Sequence, residues 1–357
     1  MVDISIKLDG TLAMTISPSF QQTASSSDRS ALKIDLHVHV VGNGAGGTGC
    51  WYRPRGWTRW GEPWMLRGFG LRPAVLREDL DQQYAAKLRS FVVSSSLDAA
   101  VILAQDDPHQ ANGEKIVDVS SFYVPNDYVL SLARSYPEFL AGISIHPARR
   151  DALEELERCL AAGAVLLKCL PNCQNIDWSE RRYTRFLERM AEAGLPLLAH
   201  TGGEHTLPVI DKRLADPRVL TRPLEIGVTC IAAHCGTASW LFDHDYFQTF
   251  AEMMERCPNL YGDNSAFSVP NGRIRGKHLA RCLEEPLRGR ILHGSDAPVP
   301  VLGHEAYLRG YVSRRAFTQS LRQENPLERD YQLKRAMGFD DASFTRASTL
   351  LRFPVNC

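Results

Sequence analysis

The chain has no excess charge of either sign: 41 basic residues balance 41 acidic ones over 357 positions. The net field that draws a protein to nucleic acid or to an anionic membrane is therefore missing, and the expected partner is a small molecule. No run of eighteen apolar residues occurs. Nor does the N-terminus carry a basic segment leading into an apolar core and a small-residue cleavage site, so the expectation is a chain neither membrane-spanning nor secreted. The nine cysteines are odd in number and form no Cys-x-x-Cys pair, and Cys169, Cys230 and Cys235 sit inside apolar runs. That pattern fits reduced thiols in a cytoplasm better than a disulfide framework. Internal repeats, low-complexity tracts and the basic aromatic surface of nucleic-acid binders are also lacking.

What is present is the composition of a globular protein, 44% hydrophobic and 23% charged. Residues 2–17 alternate loosely and suggest a small strand pair, and Pro18 to Ser30 is a Ser-, Thr- and Gln-rich lead-in. An N-terminal extension over 1–30 and one folded unit over 31–357 are expected. Within that unit eight apolar runs read as strands: Leu32–Val40, Ala99–Ala104, Leu140–Ile145, Ala164–Leu170, Pro196–Ala199, Val228–Ala233, Leu260–Gly262 and Arg290–Leu292.

Helical periods separate several of them. Tyr183, Phe186, Leu187 and Met190 fall at i, i+3, i+4 and i+7, with Ser179 placed as a cap and Gly194 at the stop. Asp151–Leu160 and Tyr246–Arg256 serve the same purpose before the fourth and seventh strands. After Pro298, helices are expected over Tyr307–Leu321 and Glu328–Met337, with Phe344–Leu351 completing the outer ring. Strand and helix in alternation imply a parallel α/β sheet, and eight such strands close into a (β/α)8 TIM barrel. A doubly wound open sheet is the alternative, but candidate ligands spread over several strand ends suit a closed ring better.

A long insertion, about 42–75, follows the first strand. It holds Trp51, Trp57, Trp60 and Trp64 with Arg53, Arg55, Arg59 and Arg67. So long a segment is commonly functional, and its aromatic load argues against disorder. It reads as a lid with Trp51 for a planar substrate and Arg53 for an anion, or equally as a subunit contact in a homo-oligomer.

The chemistry lies at the strand ends. His37 and His39, two apart on the first strand, aim at one face and make half of a metal site. Lys168 on the fourth strand, His200 after the fifth, His234 after the sixth and Asp296 after the eighth extend the set. Imidazoles and carboxylates arriving from several directions are what a divalent ion in a hydrolytic site needs. His146 in Ser-Ile-His-Pro points to the same rim as a substrate contact or as support, and Asp263 and Asn264 reach it too. His205 is a rim candidate and His293 a packing residue by strand parity, while His109, His244, His278 and His304 read as surface.

The run His-x-His, then Leu-Lys in Leu166-Leu-Lys-Cys-Leu-Pro171, Leu198-Ala-His-Thr-Gly202, Ala232-Ala-His-Cys-Gly236 and His293-Gly-Ser-Asp-Ala-Pro298 resembles the amidohydrolase superfamily, in the amidohydrolase-related branch that holds hydrolases and non-oxidative decarboxylases. The resemblance spans Lys33 to Pro298. It implies that His37, His39 and Asp296 ligate the more buried metal. It also implies that His200 and His234 hold a second metal, or assist one metal in polarising substrate. In binuclear members the lysine matching Lys168 carries a bridging carboxylate taken from carbon dioxide, although here Cys169 stands between it and Leu170-Pro171, a departure from the pattern in many relatives. Asp296 would take a proton from metal-activated water and pass it to the leaving group, with His234 and Lys168 as catalytic partners. Zinc is the first choice of ion, with manganese or iron as alternatives.

Three functions remain open at this point: a metal-dependent hydrolase of a C–N or C–O bond in a small anionic or aromatic substrate, a metal-dependent decarboxylase of an aromatic or unsaturated acid, and a non-catalytic binding barrel.

Overall fold

The structure is a computed structural model that describes residues 31–54, 58–117, 119–265, 267–269 and 275–353, with nothing said of the side chains of 58–60. The strand pair expected over 2–17 lies outside these residues.

All eight expected strands are present: β1 (Ile34–His39), β2 (Ala99–Leu103), β3 (Phe139–Ile143), β4 (Leu166–Cys169), β5 (Leu197–His200), β6 (Cys230–Ala233), β7 (Leu260–Asp263) and β8 (Ile291–Leu292). They pair in parallel in chain order. The ring closes where β1 meets the segment following β8: Leu36 N donates to His293 O, Asp296 N to His37 O and His39 N to Ala297 O. The architecture is a (β/α)8 barrel, and no described helix is long and apolar enough to cross a membrane.

Alternate strand residues divide between two cores. One, drawn from the strands with few other residues, fills the barrel: Ile34, Leu36, Val101, Leu103, Leu140, Leu166, Leu198, Ile231 and Leu292. The other joins the outer strand faces to the helices, as in Thr184–Glu192, where Phe186, Leu187 and Met190 are buried, each contributing roughly 1.5–3 kcal/mol. That helix stops at Gly194 (φ 62), but Ser179 does not cap it; its hydroxyl donates to Asp177 instead.

The C-terminal region differs from expectation in two ways. The helix expected over Tyr307–Leu321 breaks into His304–Leu308 and Arg314–Leu321. Ala347 and Leu351, with Leu350 and Phe353 beside them, pack on the inner core below the strands rather than only completing the outer ring.

β1 carries an irregularity that matters for the site. Its register against β2 shifts between Asp35 and Val38, so Ile34 and Leu36 face the inner core whereas Val38 and Val40 join the outer one. Strict alternation would keep Ile34, Leu36 and Val38 on one side. The bulge reverses the parity and turns His37 and His39 inward, the local re-aiming for which bulges serve next to sites.

The insertion after β1 is tied down rather than loose. The buried Asp81 carboxylate accepts from Asn43 N (2.7 Å), Gly44 N and the Thr48 hydroxyl. Trp51–Tyr52 pairs antiparallel with Phe122–Tyr123 from the segment after β2, a small sheet the sequence did not suggest. Gly42, Gly44 and Gly47 have the Gly-x-Gly-x-x-Gly spacing, yet no helix opens there, so the dinucleotide-binding geometry is missing.

Candidate metal centre

Three ligand atoms converge at the C-terminal end of the barrel. His37 Nε2 lies 3.2 Å from His39 Nε2 and 3.4 Å from Asp296 Oδ1, and His39 Nε2 lies 3.3 Å from the same oxygen. Atoms bound at about 2.1 Å to one ion in tetrahedral directions stand about 3.4 Å apart, so this triangle has the size of a shared coordination sphere. The other Asp296 oxygen, Oδ2, faces His234 Nε2 at 4.0 Å. Both His234 and Asp296 hold φ 61, a conformation that costs a non-glycine residue on the order of 1–3 kcal/mol and that persists only where the surroundings fix it.

Groups behind the ligands decide which nitrogens face inward. His37 Nδ1 donates to Asp263 Oδ2 at 2.8 Å, which leaves its Nε2 lone pair directed at the centre. Asp263 Oδ1 accepts the backbone N–H of His234 (2.8 Å) and the Ser265 hydroxyl. With that hydroxyl so engaged, His234 Nδ1 at 2.7 Å donates to Ser265 Oγ. Below, Asp35 Oδ1 accepts from His37 N (3.1 Å) and Ser295 N (2.9 Å), joining β1 to the turn that carries Asp296. Gly294 lies in that turn, where a Cβ would stand 2.7 Å from His37 Cβ.

Electrostatics favour neutral imidazoles opposite a charged carboxylate. Burial, with Lys168 second, holds His37 down at about 4. His200 and His234 are pushed well below the ordinary histidine range by burial, with Lys168 and Arg275 respectively as the next cause. Burial alone would raise the Asp296 carboxyl, but His37, His234 and His39 outweigh it and keep it ionised. Neutral nitrogens beside a carboxylate form the donor set a divalent ion requires.

Lys168 is fully buried on β4, and burial lowers its ammonium. Its Nζ is 2.9 Å from His37 Nε2. His200 supplies the clearest sign of an absent partner: its buried Nε2 has no hydrogen bond, while Nδ1 lies 3.7 Å from Glu204 Oε2. An orphaned imidazole nitrogen next to this triangle is what a ligand without its ion looks like, so the residues fit the metal that the sequence implies.

A cavity of about 1040 Å³, measured out to its mouth, opens over His39, Lys168, His200, His234 and Asp296. Its wall comes from the insertion (Tyr52, Glu62, Met65, Leu66), from Leu76 and Leu80, and from Phe122 and Leu207. The insertion thus overhangs the centre, but through different residues from those expected. Trp51 stacks on Tyr123 with the Arg53 guanidinium 5.4 Å over its ring, and neither lines the cavity. Trp64 and Arg67 are exposed. Arg55 and Trp57 fall outside the described residues, as do the side chains of Arg59 and Trp60.

Other expected residues are placed as follows. His146 is buried with both nitrogens satisfied by backbone, Nε2 on Gln174 O (2.8 Å) and Nδ1 from Ala148 N (3.1 Å), so the structure gives it support rather than cavity contact. Asn264 is buried and accepts from Gly294 N, also away from the lining. His293 is buried against Phe344, as packing requires. His109, expected at the surface, is buried against His146, and His205 bonds Asp243 near the rim. The roles of Asp35, Glu204 and Ser265 were not foreseen, nor was Asp263 as the partner of His37. Their only signal was position, each within two residues of a strand or four of a ligand.

Comparison with known proteins places this geometry. A family model described as amidohydrolase matches residues 34–325. No curated protein sequence matches the chain. Among solved structures, a TIM-barrel protein from Bordetella bronchiseptica is 18% identical with a TM-score of 0.52, covering 85% of this chain and 99% of its own. One described as a 2-pyrone-4,6-dicarboxylic acid hydrolase from Pseudomonas putida is 15% identical with a TM-score of 0.52, covering 90% and 98%. At these identities the structural likeness shows the fold alone.

Proposed function

Because this chain belongs to the amidohydrolase family, we propose that it is a metal-dependent hydrolase of a C–N or C–O bond in a small molecule, with Asp296 as general base. The observation that carries the reading is the His37, His39 and Asp296 triangle, with sides of 3.2–3.4 Å, packed against a buried lysine amine. His37, His39 and Asp296 would hold one divalent ion, zinc being the first choice, and His200 and His234 would hold a second or orient the substrate. Burial lowers the Lys168 ammonium toward the neutral amine that adds carbon dioxide, and we assign it as the residue that would carry a carboxylate ligand for the ions.

When bound, the metal supplies an activated water and a polarised electrophile. The chain does the rest. Asp296 keeps Oδ1 toward His37 and His39, so Oδ2 is left to take the proton of the attacking water and hand it to the leaving group. His234, held by Ser265, stands on the side where that proton moves. Tyr52, Met65 and Leu66 of the insertion set largely apolar surface over the centre.

The test is to load chelator-treated protein with zinc or manganese, count metal per chain, and weigh the intact native protein for one added carbon dioxide. The same protein is then assayed against a panel of lactones, esters and anilides. Metal-dependent hydrolysis that vanishes in Asp296→Asn is expected. Release of carbon dioxide from aromatic acids, without hydrolysis of any panel member, would replace the proposal with the decarboxylase reading.

A further inference from the structure

The wall facing the centre carries a message about the substrate that rests on the hydrolase reading and sharpens it. Away from the strand ends, the cavity is lined by Val41, Met65, Leu66, Leu76, Phe122 and Leu207. Its carboxylic groups there are Glu62 and Glu204, beside the phenols of Tyr52 and Tyr84. Among the described residues the only lysine or arginine in the lining is Lys168, which sits in the centre itself. Of the arginines that the sequence suggested as anion clamps, the two whose side chains are described do not line the cavity: Arg53 is exposed over Trp51 and Arg67 is exposed. Arg275 is buried, but it is not part of the lining; it donates to Gly203 O at 3.1 Å and offsets the charges of Asp296 and Glu204.

A carboxylate group brought along the described part of this wall would lose its water without gaining a cation there, and would approach Glu204, so both desolvation and like charge oppose it. A hydrocarbon or aromatic body loses nothing and buries apolar surface on both sides. The polar positions favour hydrogen-bond donors instead. Glu204 Oε1 is taken by the backbone N–H groups of Thr206 and Leu207, which leaves Oε2 as an acceptor beside His200. Glu62 accepts a hydrogen bond from the Tyr52 hydroxyl, and burial raises its carboxyl, so it brings no positive charge to the wall.

We infer that the substrate is an uncharged ester, lactone or amide whose body beyond the scissile bond is apolar, with an N–H or O–H group directed at Glu204, and that molecules bearing a second, remote carboxylate are excluded by the wall built from Met65, Leu66, Leu76 and Phe122. The selectivity belongs to the wall and is therefore readable without turnover.

The full-length protein is titrated with the neutral fluorophore N-phenyl-1-naphthylamine, which is then displaced by 4-phenylbutanamide or by the same amide carrying a para-carboxylate. Both the chelator-treated and the zinc-loaded forms are used. At least tenfold tighter binding of the uncharged amide is expected in each form. Leu76→Trp should weaken both amides, and Glu62→Lys should narrow the gap or reverse it. Equal or tighter binding of the carboxylate by the unaltered protein, or no displaceable fluorophore at all, overturns the inference. Normal zinc uptake with a carboxylate preference would sink this inference and spare the hydrolase reading. Failed zinc uptake with the amide preference intact would do the reverse.

Discussion

The two ends of the barrel are built by opposite rules. At the upper end, where the strands finish, His234 and Asp296 hold φ 61, His200 Nε2 has no partner, and imidazoles crowd a carboxylate. At the lower end Ala347 and Leu351 close on Ile34, Leu36 and their neighbours in an apolar plug. One end stores strain and unmet bonding capacity, and the other supplies the packing that holds it in place. The lesson is the division of labour expected of a closed strand ring: change at the top should alter chemistry, and change at the bottom should alter stability.

The sharpest test of that division is Asp296→Asn. On the proposed hydrolase reading the proton acceptor is lost while shape is kept, so hydrolysis should fall about 10³-fold, within the span of general-base effects, with a thermal midpoint close to that of the parent. A variant with normal turnover would remove Asp296 from the chemistry.

Leu351→Ala at the lower end should show the reverse. A cavity in the plug costs about 2–5 kcal/mol, visible in a denaturant melt, while turnover per folded molecule stays the same. A loss of turnover in the folded fraction would mean that the ends are coupled.

Between these extremes lies Asp263→Asn. It leaves the ligands in place but removes the carboxylate that orients His37, and about a 10- to 100-fold loss of metal affinity is expected, read by competition with a chromophoric chelator. Unchanged affinity would show that packing alone sets the ring.

The last effect is in pH. Burial, then His109, holds His146 down at about 3 against an ordinary value of 6.5. Between those values the unfolded chain binds a proton that the folded chain refuses, so the stability contributed by neutral His146 is whole above 6.5 and declines as the pH drops toward 3. Denaturant melts over that range should show the decline, and His146→Gln should make it shallower while the other buried histidines continue to contribute. An equally steep decline in the variant would place the acid sensitivity elsewhere.

Much of the upper end was legible in the sequence, because a closed ring of parallel strands writes each strand as a short apolar run and leaves its ligands just past the end. Hence β1 to β8 could be read, and with them the convergence of His37, His39, Lys168, His200, His234 and Asp296 at one end of the ring. What was not legible depends on where backbone departs from regularity or where partners lie far apart in the chain. The register shift in β1 leaves no mark in the residue pattern, and parity alone would have set His37 opposite Leu36. Asp263 meets His37 across 226 positions, a pairing no local pattern encodes. His109 looked exposed because it stands in a polar loop, yet that loop folds inward onto His146. Tryptophan and arginine in the insertion drew attention by type, but among the described residues Arg53 stacks on Trp51, Trp64 and Arg67 are exposed, and the plainer Tyr52, Met65 and Leu66 reach the cavity.

The small sheet of Trp51–Tyr52 and Phe122–Tyr123 fastens two distant loops into a single panel, and Tyr52, Ser121 and Phe122 of that panel all border the cavity. Substitutions in one loop will therefore be felt by the other. Paired changes at 52 and 122 should depart from the sum of the single changes, so any effort to redirect this enzyme toward new molecules must randomise both loops together.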